Sequence, residues 1–206
     1  MNDKYEIHVS LTHFADFICK SGTQKITKVK EIKKRNKDGY HPMKDFYKPL
    51  RERIIKMHKS GQSKEILDSL AAGQSDLKKR SSYPSAIQGY KKFLGKKNFK
   101  WFSPPRELWF VNGLSVSVNP ELGLKGYGGN NIIKLYFNSD LMALQRADII
   151  NHLMEMVLKH RGANTFAVLD VRRAKFIKAK KLNDEISLLL EAEARNFIRL
   201  YRRIKV

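Results

Sequence analysis

Cations interleaved with aromatic rings form the most chemically suggestive pattern in this chain. Tyr90-Lys91-Lys92-Phe93 is followed closely by Lys96-Lys97-Asn98-Phe99-Lys100-Trp101-Phe102. Ammonium groups pair with phosphates, and aromatic rings stack on unpaired bases. The same rings also suit a core that packs a helix onto a sheet. For Phe93, Phe99, Trp101 and Phe102 that is the stronger reading. For Lys91, Lys92, Lys96, Lys97 and Lys100 the phosphate reading has the edge. Two further basic segments extend this candidate surface if the fold brings them to one side. One is Lys28 to Arg35, with Lys33, Lys34 and Arg35; the other is Arg172 to Lys181, which opens on Arg172-Arg173. Arg51 adds another cation between the apolar positions of a predicted helix.

Other chemistries find little support. The histidines His8, His13, His41, His58, His152 and His160 show one close pair, His8/His13, and that pair lacks the i,i+4 helical spacing of metal ligands. There is no CxxC, HExxH or GxSxG, so a structural zinc site or a hydrolase elbow is not indicated. The glycine-rich stretch Gly123 to Asn130 leads into a strand rather than a helix and reads as a hairpin loop, not a phosphate cradle. A single cysteine, Cys19, cannot form an internal disulfide and fits a reducing compartment. The polar first ten residues and the lack of a long apolar run predict neither a secretory leader nor a membrane span, which points to the cytoplasm.

The elements that must position these residues can be read from periodicity and charge. The chain carries 41 Lys+Arg against 20 Asp+Glu, a net charge of +21 on 206 residues, with a pI near 10.0. Residues 1–106 hold 25 basic and 10 acidic side chains, a net of +15; residues 107–170 hold 5 and 6; residues 171–206 hold 11 and 4. A nearly neutral centre is thus flanked by basic arms, which favours encounter with polyanions. The first arm reads as helical, with Ser10 capping a helix through Leu11, Phe14, Ala15 and Ile18. Further helices are predicted through Ile26, Val29 and Ile32, through Phe46, Leu50, Ile54 and Met57, over about Lys64 to Ala72, and from about Pro84 to Leu94. Leu108/Phe110 and Leu114/Val116/Val118 flank Asn112-Gly113, a strong hairpin signal. Ile132 to Phe137 suits a central strand, Leu144 to Leu158 a helix, and Thr165 to Val171 a buried strand. Asn183 caps a final helix, whose closing Arg202, Arg203 and Lys205 suit the helix dipole. The expectation is an α/β (α+β) fold. A basic helical region over 1–83 precedes an αβββαβα core over 84–206, with one mixed sheet flanked by helices.

This order resembles the core of the PD-(D/E)XK nuclease superfamily. There an acid lies at the end of the second strand, and a second acid and a lysine lie two apart on the third. In this chain Pro120-Glu121 follows the second predicted strand and Lys134 lies on the third. The resemblance covers about residues 84–178. It implies Glu121 as a metal ligand, Lys134 as a positioning cation, and Mg²⁺ or Mn²⁺ as the ion that activates water against a phosphodiester. The second acid would fall at position 132, which is Ile132. Substitutes would be Asp148 on the following helix, Asp170 on the last strand, or Glu107 near the first. The competing readings are Glu121 as a turn residue, Lys134 as a lysine that snorkels from a half-exposed strand, and Asp170 to Arg173 as a salt-bridged corner.

Three functions follow as expectations. One is a nucleic-acid-binding protein whose nuclease-like core has lost or altered its metal site. Another is an active metal-dependent nuclease using Glu121, Lys134 and a displaced acid. The third is a basic interaction protein that docks on an acidic protein.

Overall fold

The computed structural model describes residues 7–39, 45–73, 75–126, 129–159, 165–181 and 183–206, with the backbone alone at 71 and 72. His41, His160 and the Tyr127-Gly128 tip of the glycine-rich stretch lie outside the described residues. The fold is α+β, with two mixed sheets and helices packed on both. Among the described residues, no helix is long and apolar enough to cross a membrane.

The chain opens with strand β1 (Ile7–Ser10), helix α1 (Leu11–Ile18) and helix α2 (Gly22–Asp38). The hydroxyl of Ser10 accepts the N–H of His13 at 3.3 Å, the N-cap its position predicts. Helix α3 (Lys48–Lys59), a 3₁₀ turn (Lys64–Leu67) and α4 (Asp68–Ala72) lead to α5 (Leu77–Leu94). The helix start predicted at Pro84 is too late. Asp76 accepts from the N–H groups of Lys78 and Lys79, so α5 begins a full turn and more before the proline. The division drawn at 83/84 consequently falls inside a continuous helix.

The strands sort into two sheets rather than one. β3 (Glu107–Val111) and β4 (Leu114–Val118) form the expected hairpin, which joins β1 in the order β1-β4-β3. Asn112 and Gly113 at its tip have φ of 49° and 92°, the left-handed geometry of a tight two-residue turn. The other sheet has the order β2-β5-β6-β7-β8, from β2 (Lys100–Phe102), β5 (Leu122–Gly126), β6 (Gly129–Tyr136), β7 (Thr165–Asp170) and β8 (Lys175–Lys178). β6 and β7 are parallel and joined through α6 (Leu144–Leu158); the other neighbours are antiparallel. Helix α7 (Asp184–Arg203) closes the chain, with the Asn183 side chain accepting the N–H of Glu185.

Much of the stretch predicted as a glycine-rich loop is strand β5. A Cβ at Gly123 would sit 2.4 Å from the carbonyl oxygen of Phe102, so the glycine serves a close approach of β2 and not loop freedom.

The five-stranded sheet buries both faces, which explains the near-continuous apolar run of β6. Ile132 and Tyr136 face a core shared with Val168, α1, α6, α7 and the buried side of the three-stranded sheet. Ile133, Leu135 and Phe137 face a second core with Leu169, α3 and α5. The segments before residue 84 supply β1, α1 and α2 to the first core and α3 to the other. The basic N-terminal region is therefore built into both layers.

Candidate functional site

The residues singled out for metal chemistry meet in part. Glu121 stands in the short link before β5, and its N–H donates to the carbonyl of Ile133 at 3.1 Å. That fixes its carboxylate beside β6. One oxygen accepts from the Lys134 ammonium at 2.7 Å, and the other accepts the backbone N–H of Leu135 at 2.8 Å. Lys134 donates again to the carbonyl of Asn119 at 3.0 Å. The two side chains are 13 % and 9 % exposed. They thus form a largely buried ion pair with further hydrogen bonds, the condition under which such a pair is tolerated inside a protein. Glu121 supplies the acceptor that β5 no longer offers at that point of the β6 edge, and Lys134 ties the β4–β5 link to it. A lysine in an apolar strand is explained here by a carboxylate partner and not by snorkelling to water.

The replacement acids lie elsewhere. Asp148, on α6, pairs with Lys180 at 2.6 Å. Asp170, fully buried at the end of β7, accepts the N–H of Met142 at 3.3 Å and pairs with Arg173 at 3.3 Å. Glu107 is exposed at the start of β3. Among the described residues, no three His, Cys, Asp or Glu side chains are placed to hold a metal ion.

The basic residues separate by whether the fold consumes them. Arg172 donates to the carbonyl of Phe137 (2.8 Å), the hydroxyl of Ser85 (2.6 Å) and the hydroxyl of Tyr47 (2.7 Å), so it clamps α5 and the start of α3 to the sheet. Arg173 donates to the carbonyls of Ser139 and Asp140 besides Asp170. Lys91 pairs with Asp68 at 2.8 Å and Arg51 with Asp45 at 2.6 Å. Lys97 donates to the carbonyl of Phe93 at 2.8 Å. Lys33 donates to the carbonyls of Tyr201 and Ile204 at the end of α7, at 2.8 and 2.9 Å, where a cation also complements the helix dipole. Arg35 contacts the His13 ring at 2.7 Å. Lys34, Lys92, Lys96 and Lys100 are exposed and have no internal partner among the described residues. The aromatics beside the lysines follow the packing reading. Phe93 stacks on Phe99 and on Phe176 against the second core.

A cationic face that no motif flags lies on α7. Arg195, Arg199, Arg202 and Arg203 recur at i, i+4, i+7 and i+8, one stripe of a helix, opposite the buried Leu190, Ala194, Phe197 and Ile198. The four acids of α7 all precede Arg195 and its four arginines are in the last nine residues, so its C-terminal half is purely cationic. These arginines, with Ile198 and with Asn112 of the β3–β4 turn, line an open groove of about 630 Å³. The signal is present in the sequence as this spacing. Complementing the helix dipole accounts for residues 202 and 203, and an i,i+4 pair with Glu191 for 195, which leaves 199.

Helix α2 packs beside α7. Lys25 pairs with Glu193, Asn36 donates to the Tyr201 hydroxyl at 3.2 Å, and Lys33 caps α7 as above. The exposed Lys30, Lys34 and Lys37 of α2 therefore sit on a helix joined to the arginine-bearing one. The basic segments before residue 107 and after residue 170 meet along this pair.

Two histidines are held neutral. Burial, with Lys28 and Arg35 nearby, lowers the pKa of His13 to about 4. Burial alone lowers that of His58 to about 4, and its Nε2 lies 2.6 Å from the Tyr90 hydroxyl.

Comparison of the chain with protein-family models, with curated proteins and with solved structures finds no match.

Proposed function

We propose that this protein binds nucleic acid through the guanidinium face of α7, assisted by exposed lysines of α2, on a nuclease-like core whose Glu121–Lys134 pair is structural. The observation that carries this reading is the arginine stripe. Four guanidinium groups on one helix face line an open groove, and planar guanidinium forks match phosphate oxygens two at a time. The helix dipole and the Glu191 pair account for three of the four, and Arg199 stands at a solvated position that accepts any polar residue.

The nuclease-like part of the reading is supported by chain order. With the β3–β4 hairpin treated as an insertion into the other sheet, α5-β2-β5-β6-α6-β7 has the order αβββαβ. Lys134 then stays on the third strand, whereas Glu121 precedes the second strand instead of ending it, a departure from the family's motif position. For Mg²⁺ or Mn²⁺ to bind here, Glu121 would have to exchange the Lys134 ammonium and the Leu135 N–H for the ion. Its carboxylate already has charge and hydrogen-bond partners, so binding without cleavage is the favoured form.

The test is the salt dependence of affinity, read by fluorescence anisotropy on labelled DNA and RNA. Release of counterions from phosphates makes the logarithm of affinity fall steeply with the logarithm of salt. An affinity flat between about 50 and 200 mM salt sinks the reading. Co-purification with one acidic protein, at an absorbance ratio free of nucleic acid, would support the protein-docking alternative instead.

A further inference from the structure

A recess of about 280 Å³ lies where α3 and α5 end. Its apolar walls, Met57, Leu94 and Phe99, belong to the second core, whereas α7 packs on the first. The recess and the arginine groove are therefore on opposite sides of the five-stranded sheet. Both helices pass into their links through a glycine in the left-handed region, Gly61 at φ 61° and Gly95 at φ 51°.

Two helix C-termini in one place gather partial negative charge. Lys64 donates to the carbonyl of Gly95 at 2.6 Å, and Lys97 to that of Phe93 at 2.8 Å. Capping accounts for these two lysines, although each ammonium has further N–H groups to give. Lys96 lines the same recess, is exposed, and has no internal partner among the described residues. If capping were the whole role of this basic lining, Lys96 would be idle.

The remaining lining does little to offset that charge. Glu65 accepts from the Ser63 hydroxyl, a hydrogen bond that holds its pKa below the ordinary value. His58 adds no charge at neutral pH, because burial keeps its imidazole unprotonated. Three ammonium groups thus face one carboxylate, a surplus of two positive charges. Gln62 and Asn98 add exposed carboxamides that can both donate and accept.

We infer that this recess binds a small phosphomonoester, of the nucleoside monophosphate or sugar phosphate class, with its phosphate on Lys96 and on the spare N–H groups of Lys64 and Lys97. Such binding is independent of the nucleic-acid reading above. A phosphomonoester carries about two negative charges at neutral pH and three acceptor oxygens, which matches the surplus. A carboxylate carries one charge and leaves an ammonium uncompensated. The volume lies near the lower limit of small-molecule sites, which fits a phosphate with its sugar and leaves no room for a duplex. The carboxamides suit the hydroxyls of that sugar.

The experiment is isothermal titration calorimetry on the full chain, with uridine monophosphate and inorganic phosphate as probes and uridine as the uncharged control. Both phosphate-bearing probes are expected to bind, and uridine is not. Lys96→Ala should weaken both about tenfold at an unchanged melting temperature, because Lys96 caps nothing. Lys64→Ala should lower affinity and melting temperature together, because it also frees the Gly95 carbonyl. Equal heat from uridine and its monophosphate, no heat from either phosphate-bearing probe at millimolar concentration, or affinity unchanged by Lys96→Ala overturns the inference. Binding that survives Lys96→Glu but is lost in Arg199→Glu also overturns it, and places the phosphate in the arginine groove. The salt dependence of affinity for DNA and RNA tests the nucleic-acid reading separately, so either can fail without the other.

Discussion

Two charged regions of this molecule use ionic side chains in opposite ways. At the β5–β6 edge, Lys134 is buried and Glu121 largely so, and each makes a further hydrogen bond to the backbone. On α7, arginines line an open groove, and Arg195, which pairs with Glu191 at 3.3 Å, is still 65 % exposed. The buried pair resembles a reactive centre when the sequence is read for motifs, yet its charges are spent on holding two strands and a link together. The α7 face resembles an ordinary solvated helix surface, yet its arginines border a groove open to solvent. A charge is available to a ligand only to the extent that the fold has not already paired it.

The largest effect should come from breaking the buried pair. Glu121→Ala leaves the Lys134 ammonium buried without its carboxylate and should cost about 3–5 kcal/mol, read by urea denaturation. Adding Lys134→Met should recover most of that loss. If the double variant were as unstable as the single, the pair would not be the unit that matters. Glu121→Ala at full stability would return both residues to the candidates for chemistry.

Next in size is the arginine face. Reversing Arg199, Arg202 and Arg203 to Glu should lower nucleic-acid affinity at least about a hundredfold at about 100 mM salt and flatten the salt slope. Reversing Arg202 and Arg203, which complement the α7 dipole, should cost about 1 kcal/mol each, and reversing Arg199 no more than about 0.5 kcal/mol. A variant that keeps both affinity and slope would place the phosphate contacts elsewhere.

Acid should act on the interior rather than on the groove. His13 and His58 have folded pKa values near 4, below the usual 6.5. Between those values the unfolded chain takes protons that the folded chain refuses, so stability is complete above about pH 6.5 and falls as pH drops toward 4. The expected loss is on the order of 1 kcal/mol per histidine by pH 5.5. His58→Gln should remove its share of this slope. Replacing Arg35 by Gln should shrink the share of His13 and leave that of His58 untouched, because Arg35 depresses only the former. The smallest effect is expected from replacing Lys92, Lys96 and Lys100 by Ala. They are exposed but not on α7, and affinity should fall less than about threefold, as a shift in long-range field alone.

The elements defined by short-range patterns are legible in the sequence. The Asn112-Gly113 hairpin, the α6 span Leu144–Leu158, the Ser10 and Asn183 caps and the apolar run of β6 each depend on residues within a turn or a strand of one another. Strands β1, β2, β5 and β8 are not. They are three to five residues long, and β5 contains glycines that resemble a loop until the β2 backbone is seen against Gly123. The division of the strands between two sheets is hidden for the same reason, since β1 and β4 pair across most of the N-terminal half.

Composition and spacing are enough to establish the size of the positive surplus, its concentration in the two flanks, the helical stripe of arginines and the α+β class. All of these are local quantities. Which charges the fold consumes is a matter of tertiary contact. Lys33 meets the end of α7 across 168 positions, Arg172 reaches Tyr47 across 125, and Glu121 finds Lys134 only because β5 turns back along β6. Partner choice in a folded chain is set by proximity and burial, and neither is written in the spacing of residues along it.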